Sequence, residues 1–174
     1  MDFWQVLHSR RAVRDFAPGR DVPAERVADL LRAAVEAPSA GNLQSWHFYV
    51  VRRPAVRAAL AEAALGQSFV ADAPVVIVVC ADPERSATRY RERGRRLYTY
   101  QDTAAATENL LLAATALGLG ACWVGAFDEE AARQALGAPR RLVPVAMVPV
   151  GYPAVPGARE TERRPLEEVT TYIE

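Results

Sequence analysis

Two arginine clusters and one amide-bearing loop hold most of the side chains here that could grip a ligand. Arg10, Arg11 and Arg14 crowd one segment, and Arg163 and Arg164 stand near the far end. A guanidinium holds phosphate through two parallel hydrogen bonds, so grouped arginines suit a phosphorylated ligand. Arg10 and Arg11 have a competing use, as a cationic cap on the helix that precedes them. The loop Ala37-Pro38-Ser39-Ala40-Gly41-Asn42-Leu43-Gln44-Ser45-Trp46-His47-Phe48 offers Ser39, Asn42 and Gln44, which donate and accept hydrogen bonds. A loop that only had to turn would be satisfied by Gly, Pro or Asp. The small residues of this one leave room for a planar ligand. The plainer reading is a polar turn that caps its neighbours.

Composition removes several chemistries. All 21 basic residues are arginine. Without lysine there is no Schiff base, no pyridoxal phosphate anchor and no Walker-type phosphate loop. His8 and His47 are the only histidines, and Cys80 and Cys122 have no ligand at metal-binding spacing. Both cysteines sit among apolar residues, as buried core cysteines do. No G-x-S-x-G element supports a hydrolase. His47, alone on a strand, reads as structural. Gly118-Leu119-Gly120 lacks the third glycine and the following helix of a dinucleotide fingerprint. What remains is chemistry carried by a bound organic cofactor. Net charge is zero, which argues against nucleic acid as a generic partner. No signal peptide and no membrane-spanning run is visible, so a cytoplasmic location is expected.

The elements that must position these residues read as follows. The 174 residues make one domain. Helices are expected over Asp2 to Ser9, from Asp21–Glu25 through Val35, and from Pro54 to Leu65. Trp46–Val51 and Val75–Cys80 read as strands, the second buried on both faces. Asp102 to Leu117 is the main helix. It is apolar on nearly every side, which points to a subunit interface as well as an internal core. Ala121–Ala126 and Val143–Val150 complete the strands, with a short helix between them. The segment Arg85–Arg96 has six arginines against one glutamate and reads as a solvated helix or a mobile stretch. The tail from Ala154 is an extended arm with a short element around Glu167–Ile173. Strands and helices do not alternate strictly, so the class is α+β.

Four blocks, in order, resemble the nitroreductase family of FMN-dependent oxidoreductases. They are Ser9–Phe16, Ala37–Phe48, Gly118–Phe127 and Arg163–Val169. The resemblance implies a central mixed or antiparallel sheet flanked by helices, in an intertwined homodimer with an extended C-terminal arm. It implies that Arg10, with Arg11, Ala12, Arg163 and Arg164 nearby, surrounds the FMN phosphate and that Arg14 lies near the pyrimidine edge of the ring. Pro38, Ser39, Ala40, Asn42 and Gln44 would reach the flavin from the other subunit. Trp123, Val124 and Gly125 would lie against its reactive nitrogen. Ala12 replaces a frequent serine and removes a hydroxyl, Arg14 stands where lysine is common, and Ser45 replaces a frequent proline. NAD(P)H is the implied electron donor, with a nitroaromatic or quinone as acceptor in a ping-pong cycle. The flavin is then the reacting group, so no side chain is assigned as acid or base. Other flavin chemistry on the same scaffold, such as dehalogenation or flavin fragmentation, and a non-catalytic flavin-binding dimer are the alternatives.

Overall fold

The computed structural model describes residues 1–155 and 161–174. Residues 156–160 of the expected C-terminal arm lie outside the described residues. The core is a four-stranded sheet in the order β1-β2-β4-β3, with β1 Trp46–Val51, β2 Val75–Ala81, β3 Gly120–Ala121 and β4 Val143–Gly151. Every strand pair is antiparallel, which decides between the mixed and antiparallel sheets expected. All seven residues of β2 are buried, as its unbroken apolar run requires.

Helices cover both faces. α2 (Ala24–Val35) and α6 (Thr99–Ala116) pack through Val27, Leu30, Leu110 and Ala114 onto Val75, Ile77, Val148 and Val150. On the other face, α3 (Pro54–Ala63), α4 (Phe69–Asp72) and α7 (Glu129–Leu136) pack through Leu60, Val70 and Ala132 onto Val76, Val78, Cys80 and Met147. Alternate residues of β2 thus serve opposite cores, the period-two consequence of a pleated strand. α1 (Phe3–Ser9) opens with a capping box in which Asp2 and Gln5 each bond the other's backbone N–H at 2.9 Å. This fixes where the helix starts and so where Arg10 leaves it.

Three expectations need correction. The strand foreseen over Ala121–Ala126 ends as a ladder at Ala121 and returns only as a single bridge between Val124 and Met147. Pro149 faces Cys122 there. It accepts the Cys122 N–H at a long 3.4 Å and has no N–H to give back. The main helix starts earlier than expected, because the charged segment takes the helical one of its two expected states: α5 (Pro83–Arg93) runs into a π turn at Gly94–Tyr98 and then directly into α6. The main helix therefore begins at Thr99, and Asp102 sits inside its first turn. In the tail, the short element is a 3-10 turn at Leu166–Glu168. Among the described residues, no helix is long and apolar enough to cross a membrane.

Candidate functional site

Beyond α1 the chain runs extended. Ala12 bridges Ala121 in parallel, and the Val13 N–H donates to the Ala121 carbonyl at 2.9 Å. Val13 packs on Gly120, where an added Cβ would stand 2.6 Å from a Val13 methyl, so only glycine fits. The Arg10 guanidinium makes a loose ion pair of 3.7 Å with Glu108 on α6. Arg11 takes the capping role: its guanidinium donates to the carbonyls of His8 and Arg10, while its Nε is buried with no partner. Arg14 lies 5.7 Å over the Phe69 ring and beside the Cys122 thiol. Burial pushes that thiol's pKa up, and Arg14 opposes the shift only in part. A cavity of about 420 Å³ opens along this segment, lined by Ser9, Arg11, Ala12, Arg14 and Leu119 among others. Arg10, Trp123, Val124 and Gly125 do not line it.

The stretch after β3 alternates. Cys122 and Val124 point into the core, whereas Trp123 and Gly125 face out. Val124 exchanges both backbone hydrogen bonds with Met147, so the next residue, at the sheet edge, turns its N–H away from β4. Among the described residues, the outward N–H of Gly125 has no protein acceptor. A Cβ at Gly125 would meet only the Trp123 indole nitrogen, at 3.9 Å. Packing does not demand this glycine, and its φ is not in the left-handed region. The result is a flat, open strip of backbone with donors free.

The amide loop is built under strain. Asn42 and Gln44 have positive φ, 55° and 52°, at a cost for residues with a side chain, whereas Gly41 beside them takes 57° freely. Such residues persist only where the surroundings hold them. The Ser39 hydroxyl accepts the Gln44 N–H at 3.0 Å, and the Gln44 amide donates to the Asn42 side chain at 3.2 Å. From α6, the buried Asp102 carboxylate accepts the Ala40 N–H at 2.9 Å and the Ser45 hydroxyl at 2.8 Å. From α5, Arg85 donates to the Leu43 carbonyl. Pro38, Asn42 and Gln44 remain exposed.

A scan against family models matches residues 7–152 to the model described as the nitroreductase family. The chain belongs to the nitroreductase family. It is an oxidoreductase by that membership. A protein of Archaeoglobus fulgidus provisionally named NADH dehydrogenase/NAD(P)H nitroreductase is 39% identical over 153 residues, 86% of this chain and 84% of its own length. A Thermus thermophilus protein named NADH dehydrogenase is 34% identical over 190 residues, with 94% and 92% of the two chains covered. The crystal structure of a nitroreductase family protein from Streptococcus pneumoniae superposes with a TM-score of 0.89 at 26% identity, covering 99% of this chain and 100% of the other.

The residues that carry the resemblance fall into three groups in the structure. Arg10–Arg14 and the strip Trp123–Gly125 are adjacent through the bridge at Ala121. The amide loop is tied instead to α5 and α6, with no hydrogen bond to the first group among the described residues. Among the described residues, Arg163 and Arg164 bond within the tail, to Thr161, Glu162 and Glu168. Two residues do more than their sequence signals indicate. Asp102 looked like the opening of a helix, and its inward carboxylate shows only in three dimensions. Ser45 stands where the resemblance often has a proline. It is fully buried, and its hydroxyl is one of the two groups Asp102 holds.

Proposed function

We propose that the chain is an FMN-dependent oxidoreductase that works as a homodimer, using NAD(P)H as donor and an acceptor such as a nitroaromatic or a quinone. FMN, when bound, supplies the hydride-carrying chemistry. The observation that carries the reading is the open strip at Gly125, a glycine that neither backbone nor packing explains. Its free N–H suits a ring nitrogen that gains electron density, and the missing side chain lets a flat ring approach. The donor set fits the rest of such a ligand. Arg10 is only loosely paired, and Arg14 offers a second cation beside the strip. Ser39, Asn42 and Gln44 supply planar hydrogen bonds, in this reading from a second copy of the chain.

The second copy has its own support. Trp4 is 66% exposed and Ile173 96%, and Phe3, Leu166, Val169 and Tyr172 are exposed as well. So many large apolar side chains left in water mark an interaction surface. On α6, Ala104 and Leu112 are only half-buried in a single copy of the chain. An arm that crosses to a partner would bring Arg163 and Arg164 toward a phosphate they do not approach here.

Cys80, Cys122 and His8 stay out of the reaction. Burial pushes the Cys80 thiol to about 12 and raises Cys122, so both remain protonated. The His8 ring bonds the Trp4 carbonyl at 2.7 Å. The protein's work is thus to bind, orient and exclude water. The test is steady-state turnover: FMN-loaded protein oxidising NADPH or NADH with menadione as acceptor, by a parallel-line ping-pong pattern. Binding of FMN without turnover would leave only a flavin-binding dimer.

A further inference from the structure

The tip of the amide loop has no hydrogen bond to hold it in place. On either side of the tip the loop is tied down. Ala40 and Ser45 bond Asp102, and the Leu43 carbonyl accepts from Arg85. The Ser45 carbonyl also accepts the Asp82 N–H at 2.9 Å and the Thr99 hydroxyl at 3.3 Å. Between these ties, among the described residues, Gly41 and Asn42 bond nothing outside the loop. The Asn42 N–H goes to the Ser39 carbonyl, and its side chain accepts only from Gln44. Asn42 is exposed and has a φ of 55°. A residue in that conformation persists only where its surroundings block the alternatives.

What stands against the tip is Tyr90. A Cβ added at Gly41 would fall 2.7 Å from the Tyr90 hydroxyl and 2.9 Å from the Arg89 guanidinium, so both side chains rest on the bare Cα of this glycine. Arg89 is exposed, and its long side chain is free to swing aside. Tyr90 is half-buried and braced from behind. Arg91, at φ 50° and ψ −133°, breaks α5, and the chain folds back on itself. Ser86 and Gly94 would be about 12 Å apart along a straight helix. Instead, a Cβ at Gly94 would stand 2.5 Å from the Ser86 carbonyl oxygen. Arg95, on the returning side, pairs with Glu84 at 2.9 Å. The Tyr98 ring meets the Tyr90 ring edge to face, with centroids 5.0 Å apart, and Arg93 holds the Tyr98 hydroxyl at 2.9 Å. Tyr90 is therefore a fixed stop, and glycine at position 41 lets the loop seat against it.

We propose that Tyr90 is a positioning residue for the flavin: it fixes where Gly41 and Asn42 lie, and so how the Asn42 and Gln44 amides meet the ring. This rests on the FMN reading above. The test is titration of each variant with FMN, read by flavin absorbance and fluorescence, with circular dichroism to check folding. Tyr90→Ala should weaken FMN binding about tenfold and shift the flavin absorption bands, whereas Tyr90→Phe keeps the ring and should stay within about threefold of wild type. Gly41→Ala pushes the tip off the tyrosine and should also lose about tenfold. Adding Tyr90→Phe to Gly41→Ala removes the hydroxyl that the new methyl group meets, so the double variant should recover most of that loss and the wild-type spectrum. A contact that served stability alone would move neither the spectrum nor the affinity. Wild-type affinity and spectrum in Tyr90→Ala or in Gly41→Ala would overturn the proposal, as would a double variant no better than Gly41→Ala. If Tyr90→Ala does not fold, the comparison of Gly41→Ala with the double variant decides. A wild-type protein that takes up no FMN would overturn the FMN reading and this inference with it, whereas normal uptake with indifferent variants overturns the inference alone.

Discussion

The Asp102 carboxylate on α6 accepts the backbone N–H of Ala40 at 2.9 Å, 62 residues away in sequence. With the Ser45 hydroxyl on its other oxygen at 2.8 Å, it fastens the strained amide loop to the longest helix of the protein. Hydrogen bonds to a buried charge are worth about 1.5–3 kcal/mol, and removing the acceptor strands two donors. Asp102→Ala should therefore lower stability by about 3 kcal/mol in urea unfolding and weaken FMN binding at least tenfold. Asp102→Asn keeps an acceptor for Ala40 and should lose less of both. Unchanged FMN affinity in Asp102→Ala, with stability lost, would make the contact purely structural.

Gly41 and Gly19 separate conformational cost from crowding. Both have positive φ, 57° and 69°, but only Gly41 has neighbours within reach of a Cβ. Gly19→Ala should cost about 1 kcal/mol, the left-handed penalty alone. Gly41→Ala should cost about 1–2 kcal/mol more, because Tyr90 and Arg89 must move. Equal losses in chemical denaturation would show that α5 yields freely.

Gly125→Ala asks whether the open strip is a site. Nothing in the fold opposes the methyl group, so stability should stay within about 0.5 kcal/mol of wild type. FMN affinity should fall about tenfold, or the visible spectrum of the bound flavin should shift. Unchanged affinity and spectrum would remove the strip from the site.

The thiols give a pH prediction. Burial raises Cys80 from its ordinary 9.0 to about 12. In the unfolded chain the thiol ionises near 9, whereas in the fold it keeps its proton, so the unfolded state binds fewer protons between those values. The stability present below pH 9 is therefore lost as pH rises from about 9 toward 12. At pH 8, a thiol reagent should label neither cysteine until denaturant is added. Rapid labelling of the native protein would contradict the burial of both.

Much of the fold was legible because its signals are local. The run Val75–Cys80 has no polar interruption, and it lies buried on both faces. Val27, Leu30 and Ala34 recur at helical spacing and face inward from α2, whereas Val35 at its end is exposed. What failed to show depends on partners far off in sequence. Pro149 breaks the strand after Ala121 only because Cys122 lies opposite. Asp102 carries the same signature as a helix-capping acid, and only the position of Ala40 reveals its use. The excess of arginine around Arg85–Arg96 was visible. Its contact with Gly41 was not, since the loop and α5 are separated by β1, α3, α4 and β2.

A flavin reduced by a nicotinamide donor would show directly in the protein's colour. Purified protein should be yellow, or become so on adding FMN. Without oxygen, NADPH or NADH should bleach the flavin absorbance, and a quinone or nitroaromatic should restore it. A colourless protein that binds no added FMN would contradict the claim, and so would a yellow one that neither donor bleaches.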